Sequence, residues 1–225
     1  FDPAHDTFTR SAAALPTPVA DHAATRLLDG RVLVTGGFDG KHPSKALSFF
    51  DPATNVVSAG PALAKARFGH TATTLLDGQV LIAGGTTNAG DLASAEFYTP
   101  GAATTVATAT DLLAARTGHR AILLPHNNQV LIVGGTSNGR AAAGAELFVP
   151  WLAGGTFIRT NAPAEANRVD SSASALSEPA GLVTRTGPTD GQLLLVGGGA
   201  GTTASATPRA ELFGFATVTT DKADY

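Results

Sequence analysis

Three histidines occupy equivalent positions in successive copies of a repeat, and imidazole is a side chain that can do chemistry. They are His22, His70 and His119, with Ser171 at the corresponding place in a fourth copy. Neutral imidazole is a common metal ligand, so converging histidines could hold a metal ion. The carboxylates nearby in the sequence are Asp21 and Asp170. We favour the alternative, in which the histidines hydrogen-bond the backbone of the neighbouring repeat, and we expect no metal and no cofactor.

Three arginines recur once per repeat junction, and three glutamates recur with a matching period. They are Arg67, Arg116 and Arg168, and Glu96, Glu146 and Glu211. An inward-pointing arginine could hold an anionic ligand through two parallel hydrogen bonds. It could equally pair with the glutamate as a strut between repeats, and the matching periods favour the strut. Ser48 takes the acidic position in the first copy, so one pair is expected to be missing there.

The segments of most variable sequence follow the paired glycines of each copy, at 38–45, 86–92, 136–143 and 199–208. Their candidate binding residues are Asp39, Lys41, His42, Asn88, Asp91, Asn138 and Arg140. Loops on a rigid scaffold usually carry binding specificity. The alternative is a set of polar turns without a partner. Phe38 is the aromatic exception, so the loops offer a poor surface for stacking sugars.

Catalytic patterns are missing from the sequence. With 0 Cys, the chain has no thiolate nucleophile, disulfide or Cys-ligated metal. No G-x-S-x-G, H-E-x-x-H or G-x-x-x-x-G-K-[ST] motif occurs. We therefore expect no enzymatic activity from these residues.

Composition excludes two further classes of partner. Charged residues make up 15% of the chain and the net charge is −3, whereas a nucleic-acid binder usually shows a basic stripe. No apolar run approaches the ~18–20 residues of a membrane span. With 26 Gly and 13 Pro, the chain is typical of a protein with many short strands and tight turns.

A repeated phrase predicts how these residues are positioned. VLVTGG at 32–37 returns as VLIAGG at 80–85, VLIVGG at 130–135 and LLLVGG at 193–198. Asp-Gly precedes three copies and Asn-Asn precedes the third. Asp-Gly between apolar runs predicts a β-hairpin with a type I′ turn, in which both central residues have positive φ. Each copy should therefore open with a hairpin.

Two more strands are predicted in each copy. Ser48, Glu96, Glu146 and Glu211 lie in the third strand, and weaker fourth strands follow at 55–58, 104–108 and 156–160. Four strands in a unit of about 50 residues are typical of a propeller blade.

The paired glycines, the A-E-L/F-F/Y phrases, D-P-A-T and R-x-G-H resemble kelch repeats. More narrowly, they resemble the bacterial kelch units related to the galactose oxidase propeller. The resemblance covers nearly the whole chain and implies an all-β, kelch-type β-propeller. The usual Trp of the fourth strand is absent. Galactose oxidase chemistry needs a cysteine–tyrosine cofactor, and with 0 Cys and 2 Tyr this chain cannot form the copper site.

The repeats are expected at about 20–60, 68–110, 117–160 and 169–216, within a propeller covering 1–216. Residues 1–3 align with Phe50-Asp51-Pro52, so residues 1–10 would be an outer strand that closes the last blade. The result would be a four-bladed ring, or part of a larger propeller. Residues 217–225 resemble the opening of an Ig-like domain of bacterial surface proteins, as a linker or the start of a following domain.

These features predict a non-enzymatic binding or structural module of a bacterial secreted or cell-surface protein, with an extracellular or surface location. Its loops would contact protein or carbohydrate, and further domains of the polypeptide or neighbouring subunits would be partners. One alternative is a carbohydrate-active enzyme whose catalytic residues lie partly outside this chain. The other is an assembly subunit of an extracellular structure.

Overall fold

A computed structural model describes residues 4–8, 11, 13–108, 110–124, 127–142 and 144–160, and the backbone of strands at 172–175, 192–196 and 210–214. Over these residues the chain is all-β. No helix long and apolar enough to cross a membrane occurs in this described part.

Each repeat forms one antiparallel sheet whose strands pair in sequence order. The first sheet contains β1 (Ala23–Arg26), β2 (Val32–Thr35), β3 (Leu47–Asp51) and β4 (Val56–Ala59). The second contains β5 (Thr71–Thr74), β6 (Val80–Ala83), β9 (Ala95–Tyr98) and β10 (Val106–Ala107). The third contains β11 (Arg120–Leu123), β12 (Val130–Val133), β15 (Glu146–Val149) and β16 (Thr156–Arg159). The fourth pairs β17 (Ser172–Ala175), β18 (Gln192–Val196) and β19 (Ala210–Gly214).

Two smaller hairpins lie in the loops that follow the paired glycines. They are β7 (Thr86–Thr87) with β8 (Gly90–Asp91), and β13 (Thr136–Ser137) with β14 (Arg140–Ala141). In the first repeat, an isolated antiparallel bridge between Phe38 and Pro43 closes the equivalent loop. The sequence predicted loops here, and the structure shows that they are ordered hairpins.

The predicted opening hairpins are present, but the type I′ turn was wrong for the first two copies. The turn of the fourth copy lies outside the described residues. Arg26 faces Val32 in the register, and Leu27 N donates to Arg31 O at 2.8 Å, so the loop contains three residues, 28–30. Gly30 N donates to Leu27 O at 3.0 Å and has a φ of 91°. Asp29 is not among the residues of positive φ; its Oδ1 accepts from Arg31 N at 3.0 Å. Asp29 therefore suits this turn because its side chain makes this hydrogen bond. Gly30 suits it because the residue that follows the type I turn adopts the left-handed conformation.

The sheets stand side by side through their first strands. β5 lies alongside β1, β11 alongside β5, and β17 alongside β11. The four sheets therefore follow one another in sequence order.

Apolar side chains fill the space between successive sheets. The first junction buries Leu27, Leu33, Leu47, Phe49 and Leu63 against Val80, Ile82 and Tyr98. The second packs Leu75, Leu81, Ala83, Ala95 and Leu112 against Val130, Ile132, Phe148 and Phe157. Full burial of one large apolar side chain contributes about 1.5–3 kcal/mol, so each junction is a substantial core of its own.

Strand alternation divides each sheet into two faces. We call the face that packs on the preceding repeat the leading face, and the other the trailing face. In β6, Val80 and Ile82 lie on the leading face, while Leu81 and Ala83 lie on the trailing face. Because both faces are covered, all four residues are buried, which explains the continuous apolar run of the repeated phrase.

Candidate functional site

A buried ion pair lies at each of the two junctions that the structure describes in full. Arg67 Nη2 donates to Glu96 Oε1 at 2.8 Å, and Arg116 Nη2 donates to Glu146 Oε1 at 2.6 Å. The arginines are 1% and 0% exposed. These are the struts that the matching periods predicted. The predicted pair of Arg168 and Glu211 is left untested, because Arg168 and the side chain of Glu211 lie outside the described residues.

Each of these arginines connects two repeats. The backbone of Arg67 contacts the first repeat, since its N–H donates to Ser44 O at 3.1 Å and its O accepts from Gly37 N at 2.9 Å. Its side chain turns into the second repeat, where Nη1 donates to Gly84 O at 2.7 Å and to Ser94 O at 2.9 Å. Arg116 repeats the arrangement one junction later. Each arginine therefore joins two repeats, the preceding one through its backbone and the following one through its guanidinium.

Each glutamate also accepts a hydrogen bond from the segment that connects the preceding sheet to its own sheet. Glu96 Oε2 accepts from Ala64 N at 2.8 Å and from the Thr105 hydroxyl, and Glu146 Oε2 accepts from Leu113 N at 2.6 Å. Burial lowers the pKa of Arg67, and the adjacent Glu96 opposes that shift. A guanidinium stays charged even so, so both charges are buried and paired. The two arginines are inaccessible to an anionic ligand.

The histidines pack on the first glycine of the preceding repeat. A Cβ on Gly36 would lie 2.6 Å from His70 Cε1, and one on Gly84 would lie 2.7 Å from His119 Cε1. Both glycines have positive φ, at 60° and 63°. A side chain at either glycine would therefore require a strained backbone and would collide with the histidine ring of the next repeat.

Each buried histidine bonds a threonine hydroxyl, so the expected backbone partner was wrong. His70 Nε2 lies 2.8 Å from Thr35 Oγ1, and His119 Nε2 lies 2.9 Å from Thr71 Oγ1. Burial, with a smaller effect of the adjacent arginine, lowers the pKa of both histidines to about 3. Their Nδ1 atoms are buried without a hydrogen-bond partner, which fits an uncharged ring. His22, by contrast, is exposed.

The two hydroxyls come from different strands but from the same cross-strand position. Thr35 in β2 faces Ala23 in β1, and Thr71 in β5 faces Ala83 in β6. In these two sheets the pair therefore consists of one threonine and one alanine, with their places exchanged. Sequence analysis missed this hydroxyl, although the alternation of Thr and Ala at aligned positions could have indicated it.

The loops after the paired glycines form a continuous row across three repeats. Asn88 Nδ2 donates to Lys41 O at 3.3 Å, and Asn138 N donates to Asp91 Oδ2 at 2.6 Å. Each of these hydrogen bonds joins a loop to the equivalent loop of the preceding repeat. The structure thus brings the predicted loop residues to one edge, whereas Arg67 and Arg116 lie in the junctions. We call the loops at 38–45, 86–92 and 136–142 the loop row.

The two carboxylates of the loop row are used internally. Asp39 Oδ1 accepts from Lys41 N and His42 N, both at 2.7 Å, and these bonds lower the pKa of Asp39. The side chains of Lys41, His42 and Arg140 are exposed and form no hydrogen bond or ion pair with described residues. The cationic side chains of Lys41 and Arg140 are therefore free to reach a partner, while the two carboxylates stay ionised but are directed at backbone N–H groups.

Nothing in the described part forms a metal centre. No group of three or more His, Asp or Glu side chains lies together among those residues, and His70 and His119 belong to separate junctions. Ser171 and the loop at 199–208 lie outside the described residues. No family model matches this chain, and no curated protein matches it significantly.

Proposed function

We propose that this chain is a non-enzymatic binding module, built as a kelch-type β-propeller or part of one, whose loop row contacts a carbohydrate or protein partner. The series of meander sheets joined through their first strands supports the propeller. The repeated paired glycines and R-x-G-H phrases support the kelch type. We place the module on a bacterial secreted or cell-surface protein, following the resemblance of its repeats and tail.

The observation that carries the binding role is the continuity of the loop row. Three equivalent loops are hydrogen-bonded to one another and rest on buried sheets. Loops held in this way are pre-organised, so little ordering entropy is lost on binding. Because Asp39 and Asp91 bond backbone N–H groups, the free groups are Lys41, His42 and Arg140. Two of them, Lys41 and Arg140, are cations that can pair with carboxylates of a partner, and we propose an acidic polysaccharide.

The test is affinity electrophoresis in gels containing polygalacturonate, with dextran as the neutral probe. Polygalacturonate should retard the protein, and the double variant Lys41→Ala/Arg140→Ala should lose most of that retardation. Lys65→Ala is the matched control, because Lys65 is an exposed cation in the segment between β4 and β5, outside the loop row. Equal loss in the Lys65 variant, or no retardation at all, would contradict the proposal.

A further inference from the structure

The first repeat differs from the second at every member of the buried ion-pair network. In the second repeat the network consists of the Arg67 guanidinium, the Glu96 carboxylate and the N–H of Ala64. At the equivalent places the first repeat has Val19, Ser48 and Pro16. Proline carries no N–H, so the guanidinium, its carboxylate partner and the second donor to that carboxylate are all replaced together.

The two segments that carry these residues nevertheless run in the same way. Ala20, which follows Val19, forms an antiparallel bridge with Phe38 just after the first glycine pair. Phe68, which follows Arg67, forms the equivalent bridge with Thr86 after the second glycine pair. The backbone that delivers the arginine in the second repeat is therefore present in the first, and it ends in a shorter, apolar side chain.

The carbonyl groups that receive the guanidinium are kept. Arg67 Nη1 donates to Gly84 O at 2.7 Å and to Ser94 O at 2.9 Å, and the equivalent carbonyls of the first repeat belong to Gly36 and Ala46. Gly36 is buried, and its O accepts no hydrogen bond from a described residue. Because buried carbonyl groups are nearly always hydrogen-bonded, Gly36 O is an acceptor that needs a donor.

A cavity of about 40 Å³ lies at this place in the first repeat. Among its lining residues are Gly36, Ala46 and Ser48 from the sheet, and Pro16, Thr17 and Val19 from the preceding segment. A cavity that holds one water offers roughly 10–15 Å³, so this one has about the volume of three waters, close to that of a guanidinium group. Pro16 and Thr17 are exposed, so the cavity can be reached from solvent.

The polar groups on the sheet side of the cavity select a ligand that donates hydrogen bonds. They are two carbonyl oxygens and the Ser48 hydroxyl, which makes no hydrogen bond with a described residue although Ser48 is only 5% exposed. A guanidinium group has five N–H donors in one plane and no acceptor. Arg67 shows that one of its nitrogens can bridge two such carbonyls while the other reaches the side chain beside them.

We propose that this cavity binds a guanidinium group that comes from outside the chain, carried either by a small guanidinium compound or by an arginine side chain of a peptide. One nitrogen would bridge Gly36 O and Ala46 O, as Arg67 bridges the equivalent carbonyls, and another would bond the Ser48 hydroxyl. The aliphatic stem would leave towards solvent past Pro16 and Thr17. The site uses no cationic residue of the loop row, so it does not depend on polysaccharide binding.

A titration followed by the ¹H–¹⁵N spectrum of the full chain tests the proposal. Methylguanidinium chloride at millimolar concentration should give saturable shifts of the Gly36, Ala46 and Ser48 amides. Tetramethylammonium chloride is the control ligand, because it has the same charge and no N–H, and it should shift none of them. The tripeptide Ala-Arg-Ala separates the two sources: tighter binding than methylguanidinium identifies an arginine side chain, and equal or weaker binding a small compound. No saturable shift, or equal shifts with tetramethylammonium, would overturn the proposal.

Two substitutions that restore the second repeat's residues make opposite predictions. Val19→Arg supplies the chain's own guanidinium and should abolish binding of methylguanidinium. Ser48→Glu supplies the carboxylate and should tighten binding about tenfold or more, since a hydrogen bond between charged groups is stronger than one to a hydroxyl. Unchanged affinity in either variant would overturn the proposal. Lys41→Ala/Arg140→Ala is the matched control and should leave the affinity unchanged, which separates this result from any failure of the loop row to bind polysaccharide.

Discussion

The leading faces of the first and second sheets carry nearly the same sequence in different surroundings. VLVT of β2 and VLIA of β6 have the same alternation, yet Val80 and Ile82 are buried while Val32 and Val34 are half-exposed. The difference lies in what precedes each sheet. The second sheet packs on the first, joined by Arg67, Glu96 and His70, whereas the first has Val19 and Ser48 and an exposed His22. The sequence of a strand therefore determines which of its faces is apolar. The residues of the junction determine whether that face is joined to another sheet by an ion pair and a histidine.

The largest expected effect comes from placing a charge on each of the two faces. Ile82→Lys would bury an unpaired ammonium in the first junction and should cost at least about 4 kcal/mol or prevent folding. Val34→Lys, at the equivalent half-exposed position, should cost less than about 1 kcal/mol at low protein concentration. Urea denaturation of both variants measures this difference. Similar losses would mean that the first leading face is covered within one chain.

The ion pair can be exchanged for the residues that the first repeat uses. Glu96→Ser alone leaves Arg67 buried without its partner and should cost about 3–5 kcal/mol. Arg67→Val/Glu96→Ser reproduces Val19 and Ser48 of the first repeat, so its loss should be clearly smaller than the sum of the two single losses. A double-mutant cycle in urea measures the coupling. Additive losses would show that the pair does not act as a unit.

The hydroxyl under each histidine can be moved across its strand pair. Thr71→Ala leaves His119 Nε2 without its partner and should cost roughly 1–2 kcal/mol. Adding Ala83→Thr places a hydroxyl where the first sheet has Thr35, and should restore most of that loss. Ala83→Thr in the otherwise unchanged chain is the control. If that change fails to rescue Thr71→Ala, the two positions are not equivalent.

Acid should weaken the covered junctions through their histidines. Their pKa is about 3 in the folded chain and about 6.5 in the unfolded chain, so between these values the unfolded state binds more protons. The stabilisation is complete above about pH 6.5 and is lost as the pH falls towards 3, by up to about 1.4 kcal/mol per pH unit for each histidine. Urea midpoints between about pH 5.5 and 6.5 measure it, above most of the range in which ordinary carboxylates titrate. His70→Gln should reduce this slope, and His42→Gln in the exposed loop should not.

Much of the fold followed from the sequence because it depends on local chemistry repeated several times. The apolar runs around Asp-Gly and the repeated glycine pairs predicted the opening hairpins and the third strands, and the matching periods of arginine and glutamate predicted Arg67 on Glu96. The turn type failed because Asp29 is held by a bond to Arg31 N, which the Asp-Gly rule does not consider. Part of the fourth repeat lies outside the described residues. Of the predicted closing strand at 1–10 the structure describes residues 4–8, and these form a turn and no strand, so the prediction was wrong over that stretch.

The site was less predictable, because its contacts cross between repeats. The hydroxyl of Thr71 reaches His119 from a different sheet, and the bond from Asn138 N to Asp91 joins loops 47 positions apart in the sequence. Such pairs depend on how adjacent sheets are spaced, which no single strand specifies. The alternative of a metal site also required a particular spacing, one that brings the histidines together. The sheets place His70 and His119 in separate junctions, each against its own threonine.

A density map of the full chain that resolves individual strands tests the account most directly. The account predicts successive sheets arranged around a common axis through their first strands, with Arg67 on Glu96 and Arg116 on Glu146 at consecutive junctions. Sheets stacked without a common axis would contradict the propeller. Arginines turned to solvent would contradict the junctions from which the whole arrangement is argued.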